Sequence, residues 1–132
     1  MSGTEQFGVH LMFDGYGASP ARLSNLDMLR NLLQDLPRAL GMHAICEPCV
    51  VEVGPLNRKD PGGLSGFVMI AESHISFHTF PARRFVSADV YTCQNDLDTE
   101  KVKNLLSIAF WAASAEVTVV PRGTRYPSEN LA

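Results

Sequence analysis

From Ala71 to Phe80 the chain reads Ala-Glu-Ser-His-Ile-Ser-Phe-His-Thr-Phe, which gathers Glu72, Ser73, His74, Ser76 and His78 within seven positions. These are acids, bases and nucleophiles, the side chains of proton transfer and acyl chemistry. A half-exposed antiparallel strand would account for the same pattern without any chemistry. Alternation sets Glu72, His74, Ser76 and His78 on one face and Ser73, Ile75, Phe77 and Thr79 on the other. A Ser-His-Asp hydrolase is the weaker functional reading, because there is no G-x-S-x-G elbow and the chain is small for that scaffold. A second cluster, His43, Cys46 and Cys49, spells H-x-x-C-x-x-C, the spacing of half a zinc site or a redox pair. No second cysteine pair exists, Cys93 being single, and no helix is expected after Cys49. Thiols buried in a strand are the better account, and no metal is expected.

The elements that must position these residues belong to a chain of 132 residues, 45% hydrophobic and 19% charged, which predicts one domain over 1–132. No apolar run approaches the roughly 18 residues of a membrane span. With 11 Lys+Arg against 14 Asp+Glu the net charge is −3, which provides no basic field for nucleic acid or anionic lipid. Met1 to Gln6 has none of the features of a signal peptide and the cysteine count is odd, so a reducing cytoplasm is expected.

Phe7 to Phe13 reads as a strand ended by a turn at Asp14-Gly15-Tyr16-Gly17. A helix capped by Ser24 follows, with Leu26, Leu29, Leu32, Leu33, Leu36 and Leu40 at helical spacing. Gly41 stops it, and Pro37 should kink it or end it a turn early. Ala44 to Val53 reads as a strand that Pro48 confines to an edge or a bulge, and Gly54 to Gly66 as a long loop. Strands are expected at Phe67–Ala71, His74–Phe80 and Phe85–Cys93. A helix capped by Asp98 should then bury Val102, Leu105, Leu106, Ala109, Phe110 and Ala113. Val117–Val120 is the last expected strand, before a polar, mobile tail from Pro121. This order implies an α+β fold, a two-layer sandwich of two similar halves with both main helices on one face of a largely antiparallel sheet. The uncovered face would be solvated or buried against a second copy, so a homodimer by sheet packing is expected.

Three blocks carry a resemblance: Gly63-Leu-Ser-Gly66, Glu72-Ser-His-Ile-Ser-Phe-His-Thr-Phe-Pro81 and Ala88-Asp-Val-Tyr-Thr-Cys93. They resemble the G-[VL]-S-G, E-S-H-[IL]-[ST]-[IF]-H-T-W-P-E and D-[VL]-[FY]-T-C-G blocks of the prokaryotic S-adenosylmethionine decarboxylase proenzymes. Gly8-Val-His-Leu11 and the element order match as well, so the resemblance spans nearly the whole chain.

The resemblance implies a self-cleaving decarboxylase whose pyruvoyl cofactor derives from Ser73. The Ser73 hydroxyl would attack the Glu72 carbonyl, the histidine matching His78 would remove the Ser73 α-proton, and the serine matching Ser65 would donate a hydrogen bond to the intermediate. The products would be a β chain, 1–72, and an α chain, 73–132. The pyruvoyl group would form a Schiff base with the substrate amine, and Cys93 would return a proton to the substrate carbon after CO2 leaves. The implied role is CO2 release from S-adenosylmethionine for polyamine, and thus spermidine, synthesis.

Where the family has H-T-W-P-E this chain has His78-Thr-Phe-Pro-Ala82. It lacks the glutamate expected on the ribose hydroxyls and carries Phe80 as the substrate-lining aromatic. Lys59 stands where an aromatic stacks on adenine, Gln94 follows the cysteine in place of glycine, and Arg83 and Arg84 replace an aromatic-rich segment. Altered nucleoside contacts leave open a basic amino acid substrate, L-ornithine or L-arginine. A non-enzymatic paralogue is a further alternative, disfavoured by the presence of Ser65, Ser73, His78 and Cys93.

Overall fold

The computed structural model describes residues 3–132; Met1 and Ser2, the start of the expected domain, lie outside the described residues. Strands are β1 (Thr4–Glu5), β2 (Gly8–Tyr16), β3 (Cys49–Val53), β4 (Gly63–Ile70), β5 (Ser73–Phe80), β6 (Phe85–Thr92), β7 (Ser114–Arg122) and β8 (Tyr126–Pro127). Helices are α1 (Pro20–Leu23), α2 (Leu26–Ala39) and α3 (Thr99–Phe110), with a 3-10 turn at Pro81–Arg83. Six strands form one antiparallel sheet in the order β3-β4-β5-β6-β2-β7, and β1 pairs with β8 in a small second ladder.

Alternation along each strand makes the two layers. In β6 Val86, Ala88, Val90 and Thr92 are buried while the residues between them are half-buried on the other face. The buried side meets Leu29, Leu33 and Leu36 of α2 and Val102, Leu106 and Phe110 of α3, each set spaced to lie on one helical stripe. Phe110 joins the halves, its ring 6.3 Å from Phe13 of β2 and 6.0 Å from Phe77 of β5. Thr79, buried among these groups, accepts from Leu64 N (3.0 Å) and donates to Leu23 O (2.8 Å), pinning α1 to the sheet. The α+β sandwich with helices on one face is therefore as expected.

Several boundaries differ. The first strand continues through Asp14 and Gly15 to Tyr16, because both of its neighbours pair with it that far. Ser24 closes α1 instead of opening the long helix; Asn25 caps α2, its side chain accepting from Met28 N at 3.1 Å. Pro37 neither stops nor shortens α2: it sits in the last turn, so the one hydrogen bond it forfeits and any kink from its ring fall where only Arg38 and Ala39 of the helix follow. Gly41, at φ 70°, ends the turn as expected.

The segment from Ala44 is not one strand. Only Ala44 bridges Ile70, and regular pairing starts after Pro48, at Cys49 on the sheet edge. The loop closes earlier than expected because Gly63 and Gly66 belong to β4. A Cβ on Gly63 would lie 1.8 Å from Thr79 O, and one on Gly66 would lie 2.7 Å from the Phe77 ring. Cβ-less residues are what the close approach of neighbours requires there. α3 ends at Phe110, short of Ala113, with Trp111 in the left-handed region. β7 extends to Arg122, and the tail is pinned by β8 against β1. Cys46 is half-buried and Cys49 exposed, against the expectation of buried thiols, because β3 is an edge strand.

Candidate functional site

Strands β4 and β5 are joined by only two residues, Ala71 and Glu72, with Ile70 paired to Ser73. Glu72 has φ 70°, the left-handed region that costs a non-glycine residue about 1–2 kcal/mol. The Glu72–Ser73 peptide therefore begins in a strained turn. The segment before β3 braces it: Ala71 N donates to His43 O and Ile45 N to Met69 O, both at 2.9 Å. Met69 N also donates to Cys46 Sγ at 3.2 Å, which gives this cysteine a place in the brace. Among the described residues no group of three or more His, Cys, Asp or Glu could hold a metal ion.

Strand β6 brings in Cys93. His74 opposes Tyr91, and the same register carried two residues further sets Glu72 opposite Cys93. Burial pushes the Cys93 thiol up, and the hydrogen bond and charge of the Glu72 carboxylate push it further. The sulfur is thereby favoured as a thiol, the form that can give a proton. Glu72, Ser73 and Cys93 thus come together at the turn.

Ser65 and His78 lie elsewhere. They are partners in the β4–β5 register, with Ser65 Oγ and His78 Nδ1 hydrogen-bonded at 2.7 Å. Both face the open side of the sheet, over a cavity of about 370 Å³ shared with Val51, Phe67 and Ser76. Five residue steps of extended chain lead from Ser73 to His78, roughly 17 Å, and an odd number of steps turns the two side chains to opposite faces. One chain does not bring His78 to Ser73. The spacing was visible in the sequence, and strand parity is the signal that reports it.

A polar group on the open face beside Cys93 was not singled out from the sequence. His10 Nε2 donates to Asp89 Oδ1 at 2.9 Å, Arg122 Nη1 donates to His10 Nδ1 at 3.3 Å, and the Arg122 guanidinium lies 4.8 Å from the Tyr91 ring centroid. Its members come from three strands, so no local spacing announces it.

Four of the positions that depart from the family pattern, Lys59, Phe80, Ala82 and Arg83, fall in two clefts at the far end of the sheet, while Gln94 lies beside Cys93 and donates to Gly41 O. Phe80, stacked near Phe85 at 5.7 Å, lines a cavity of about 460 Å³ with Lys59, Asp60 and Arg83. Arg83 is partly spent on the loop, donating to Arg58 O at 2.6 Å. Ala82 opens onto a separate cleft of about 370 Å³ with Glu52.

The family model described as S-adenosylmethionine decarboxylase matches residues 9–123. The S-adenosylmethionine decarboxylase proenzyme of Thermococcus gammatolerans is 32% identical over 123 residues, 93% of this chain and 81% of that protein. Proenzyme 2 of Halalkalibacterium halodurans is 31% identical over 119 residues, 90% of this chain and 88% of its own. The crystal structure of the adenosylmethionine decarboxylase from Aquifex aeolicus covers 96% of this chain and 98% of its own with a TM-score of 0.77. At 23% identity that likeness concerns the fold.

Proposed function

Because the chain belongs to the S-adenosylmethionine decarboxylase family, whose members are pyruvoyl-dependent carboxy-lyases, we propose that it cuts itself between Glu72 and Ser73 and then releases CO2 from S-adenosylmethionine. The observation that carries this reading is the Glu72–Ser73 peptide itself, set in a two-residue turn with a left-handed Glu72 beside the Cys93 thiol. That arrangement fits conversion of Ser73 to a pyruvoyl group, which supplies an electron sink for the pair left when CO2 departs.

The remaining steps belong to the chain's own residues. Ser73 Oγ attacks the Glu72 carbonyl carbon, the C–N bond breaks, and the amide becomes an ester. A base then takes the Ser73 α-proton, the Glu72 carboxylate leaves as the new C-terminus of 1–72, and hydrolysis of the dehydroalanine releases ammonia from 73–132. Cys93 gives its proton to the substrate carbon.

The base is His78, and the roughly 17 Å along β5 require it to come from a second copy. Face-to-face packing of two open sheet faces in a homodimer would set Ser65 and His78 of the partner subunit over the turn. With His78 Nδ1–H donating to Ser65 Oγ, Nε2 is left as the base and the Ser65 hydroxyl is left to donate to the tetrahedral oxyanion.

The product would feed polyamine, and thus spermidine, synthesis, and a catalytic free thiol suits a reducing cytoplasm. Loss of a carboxylate at Ala82 favours a second reading, the same chemistry on L-ornithine or L-arginine. The cations Lys59 and Arg83 in the Phe80 cleft oppose a second positive charge on ornithine or arginine as they oppose the sulfonium of S-adenosylmethionine, so family membership decides the order of the two readings. The deciding experiment incubates processed protein with S-adenosylmethionine, ornithine, arginine and lysine separately and measures CO2. S-adenosylmethionine should be fastest. A faster basic amino acid would install the second reading, and no CO2 from any of them would remove the enzyme assignment.

A further inference from the structure

We propose that Cys46 and Cys49 are a reversible redox site, a dithiol that closes to a disulfide and in closing releases its hold on the β4–β5 hairpin. The H-x-x-C-x-x-C segment has no part in the proposed function, and its sulfurs are not the buried strand thiols their residue types suggest: Cys46 is half-buried and Cys49 exposed. Nor do they complete a metal set, since among the described residues no group of three or more His, Cys, Asp or Glu could hold an ion. What remains is a pair of accessible thiols at i and i+3, across Glu47 and Pro48. A dithiol at that spacing is suited to thiol–disulfide exchange.

Register on β4 brings the two together. Ala44 stands opposite Ile70 and Cys49 opposite Phe67, so five residue steps of the edge segment are matched to three of β4. The surplus bows this segment as a bulge does, and Pro48, with its fixed φ, lies inside the bow. Cys46 Sγ accepts from Met69 N at 3.2 Å, and Met69 lies two residues along β4 from the partner of Cys49. The Cys46 sulfur and the Cys49 backbone are thus anchored less than two residue steps apart along β4, about 6 Å. Cα atoms joined by a disulfide lie roughly 4.4–6.8 Å apart, so closure asks only that the bowed segment tighten.

The same sulfur belongs to the brace of the turn. Met69 sets both backbone groups toward this edge, its oxygen accepting from Ile45 N at 2.9 Å and its N–H donating to Cys46 Sγ. A bond to Cys49 draws the Cys46 sulfur along the edge and away from Met69 N, which loosens the strand that leads into Ala71 and Glu72.

In the exchange, one thiolate of the pair attacks a sulfur of a low-molecular-weight disulfide, whose S–S bond breaks and whose first half leaves as a thiolate. The second protein thiolate attacks the mixed disulfide, the Cys46–Cys49 bond forms and the other half leaves. Two protein thiols are oxidised, the small disulfide is reduced to two thiols, and these take up the two protons. In a reducing compartment the pair stands open and closes when the share of small disulfide rises.

The test equilibrates the purified protein, cleaved or whole, in buffers of graded reduced and oxidised glutathione, followed by acid quenching, alkylation and trypsin. The tryptic peptide 39–58 holds Cys46 and Cys49 and no other cysteine, so the bridge reads as the loss of two hydrogens without alkylation, apart from Cys93. The peptide should be half closed while reduced glutathione is still in excess, and Cys46→Ala or Cys49→Ala should carry at most a mixed disulfide. Exchange of the Met69 amide, followed by NMR, should quicken several-fold on closure and slow again on reduction. A peptide that stays open until reduced glutathione is the minor species, or that collects glutathione on its cysteines without a bridge, overturns the redox site. Closure with unchanged Met69 exchange overturns its coupling to the hairpin. Both readouts stand apart from self-cleavage and CO2 release, so failure of the proposed function would show elsewhere.

Discussion

At the turn end of the β4–β5 hairpin, Glu72, Ser73 and Cys93 come together, with Glu72 in the left-handed region. Roughly 17 Å along the same two strands, Ser65 and His78 form a hydrogen-bonded pair on the open face of the sheet. Under the proposed function, the first region holds the bond to be cut and the second the groups that would assist the cut. The pairing of β5 with β4 and β6 on either side holds the two regions apart within one chain. On that proposed function, the comparison teaches that a single copy would carry half of two sites instead of one whole site.

The sharpest way to break that comparison is to mix variants. Ser73→Ala and His78→Ala chains, each expressed alone, should remain whole. Expressed together, the His78→Ala chain should be cut, because His78 of the partner subunit serves its intact Ser73. Intact mass spectrometry tells the two apart, and cleavage by Ser65 and His78 of the same chain is the conclusion if neither chain is cut in mixed dimers. Next in size is Cys93→Ala, which tests whether the turn region divides its labour. It should process normally, lose turnover by two orders of magnitude or so and accumulate alanine at the start of 73–132 in the presence of substrate.

The other face of the sheet gives the third contrast. Phe77→Ala, on the helix side of β5, should cost about 3–5 kcal/mol in urea unfolding. Its neighbour Ser76→Ala, on the open side, should stay within about 0.5 kcal/mol. The smallest effect concerns Asp14, which sits on the open face directly opposite Glu116 in the β2–β7 register. Its carboxyl is raised from 3.8 by burial first, then by Glu116 and Asp89. A carboxyl raised in the folded state is penalised only when ionised. The penalty is therefore absent below 3.8 and grows as the pH climbs through the folded value. Asp14→Asn should gain about 0.5 kcal/mol at pH 7 and nothing at pH 3, read by thermal unfolding.

The reactive block was legible because its residue types are dense and ordered: Ser73 and His78 stand in one strand with Glu72 in the turn before it, and Cys93 follows directly after the next. The two helices were legible from leucine and valine spacing, and the uncovered face from their number. What escaped the sequence depends on contacts between distant segments. Gly63 and Gly66 look like loop residues until Thr79 and Phe77 are set against them. Tyr126 looks like a tail residue until Glu5 pairs with it. The division between Ser73 and His78 was available from their odd spacing, but a motif written as a line of letters hides which face each letter occupies.

Strand order carries one more consequence. If the chain is cut between Glu72 and Ser73, β3 and β4 belong to the first fragment, β5 and β6 to the second, β2 to the first and β7 to the second. The fragments are then interleaved, with seams at β4–β5, β6–β2, β2–β7 and β1–β8. Severing the covalent thread releases neither piece. Each fragment lacks the neighbours its strands need, so the two polypeptides persist as one woven body and come apart only where the whole fabric unfolds.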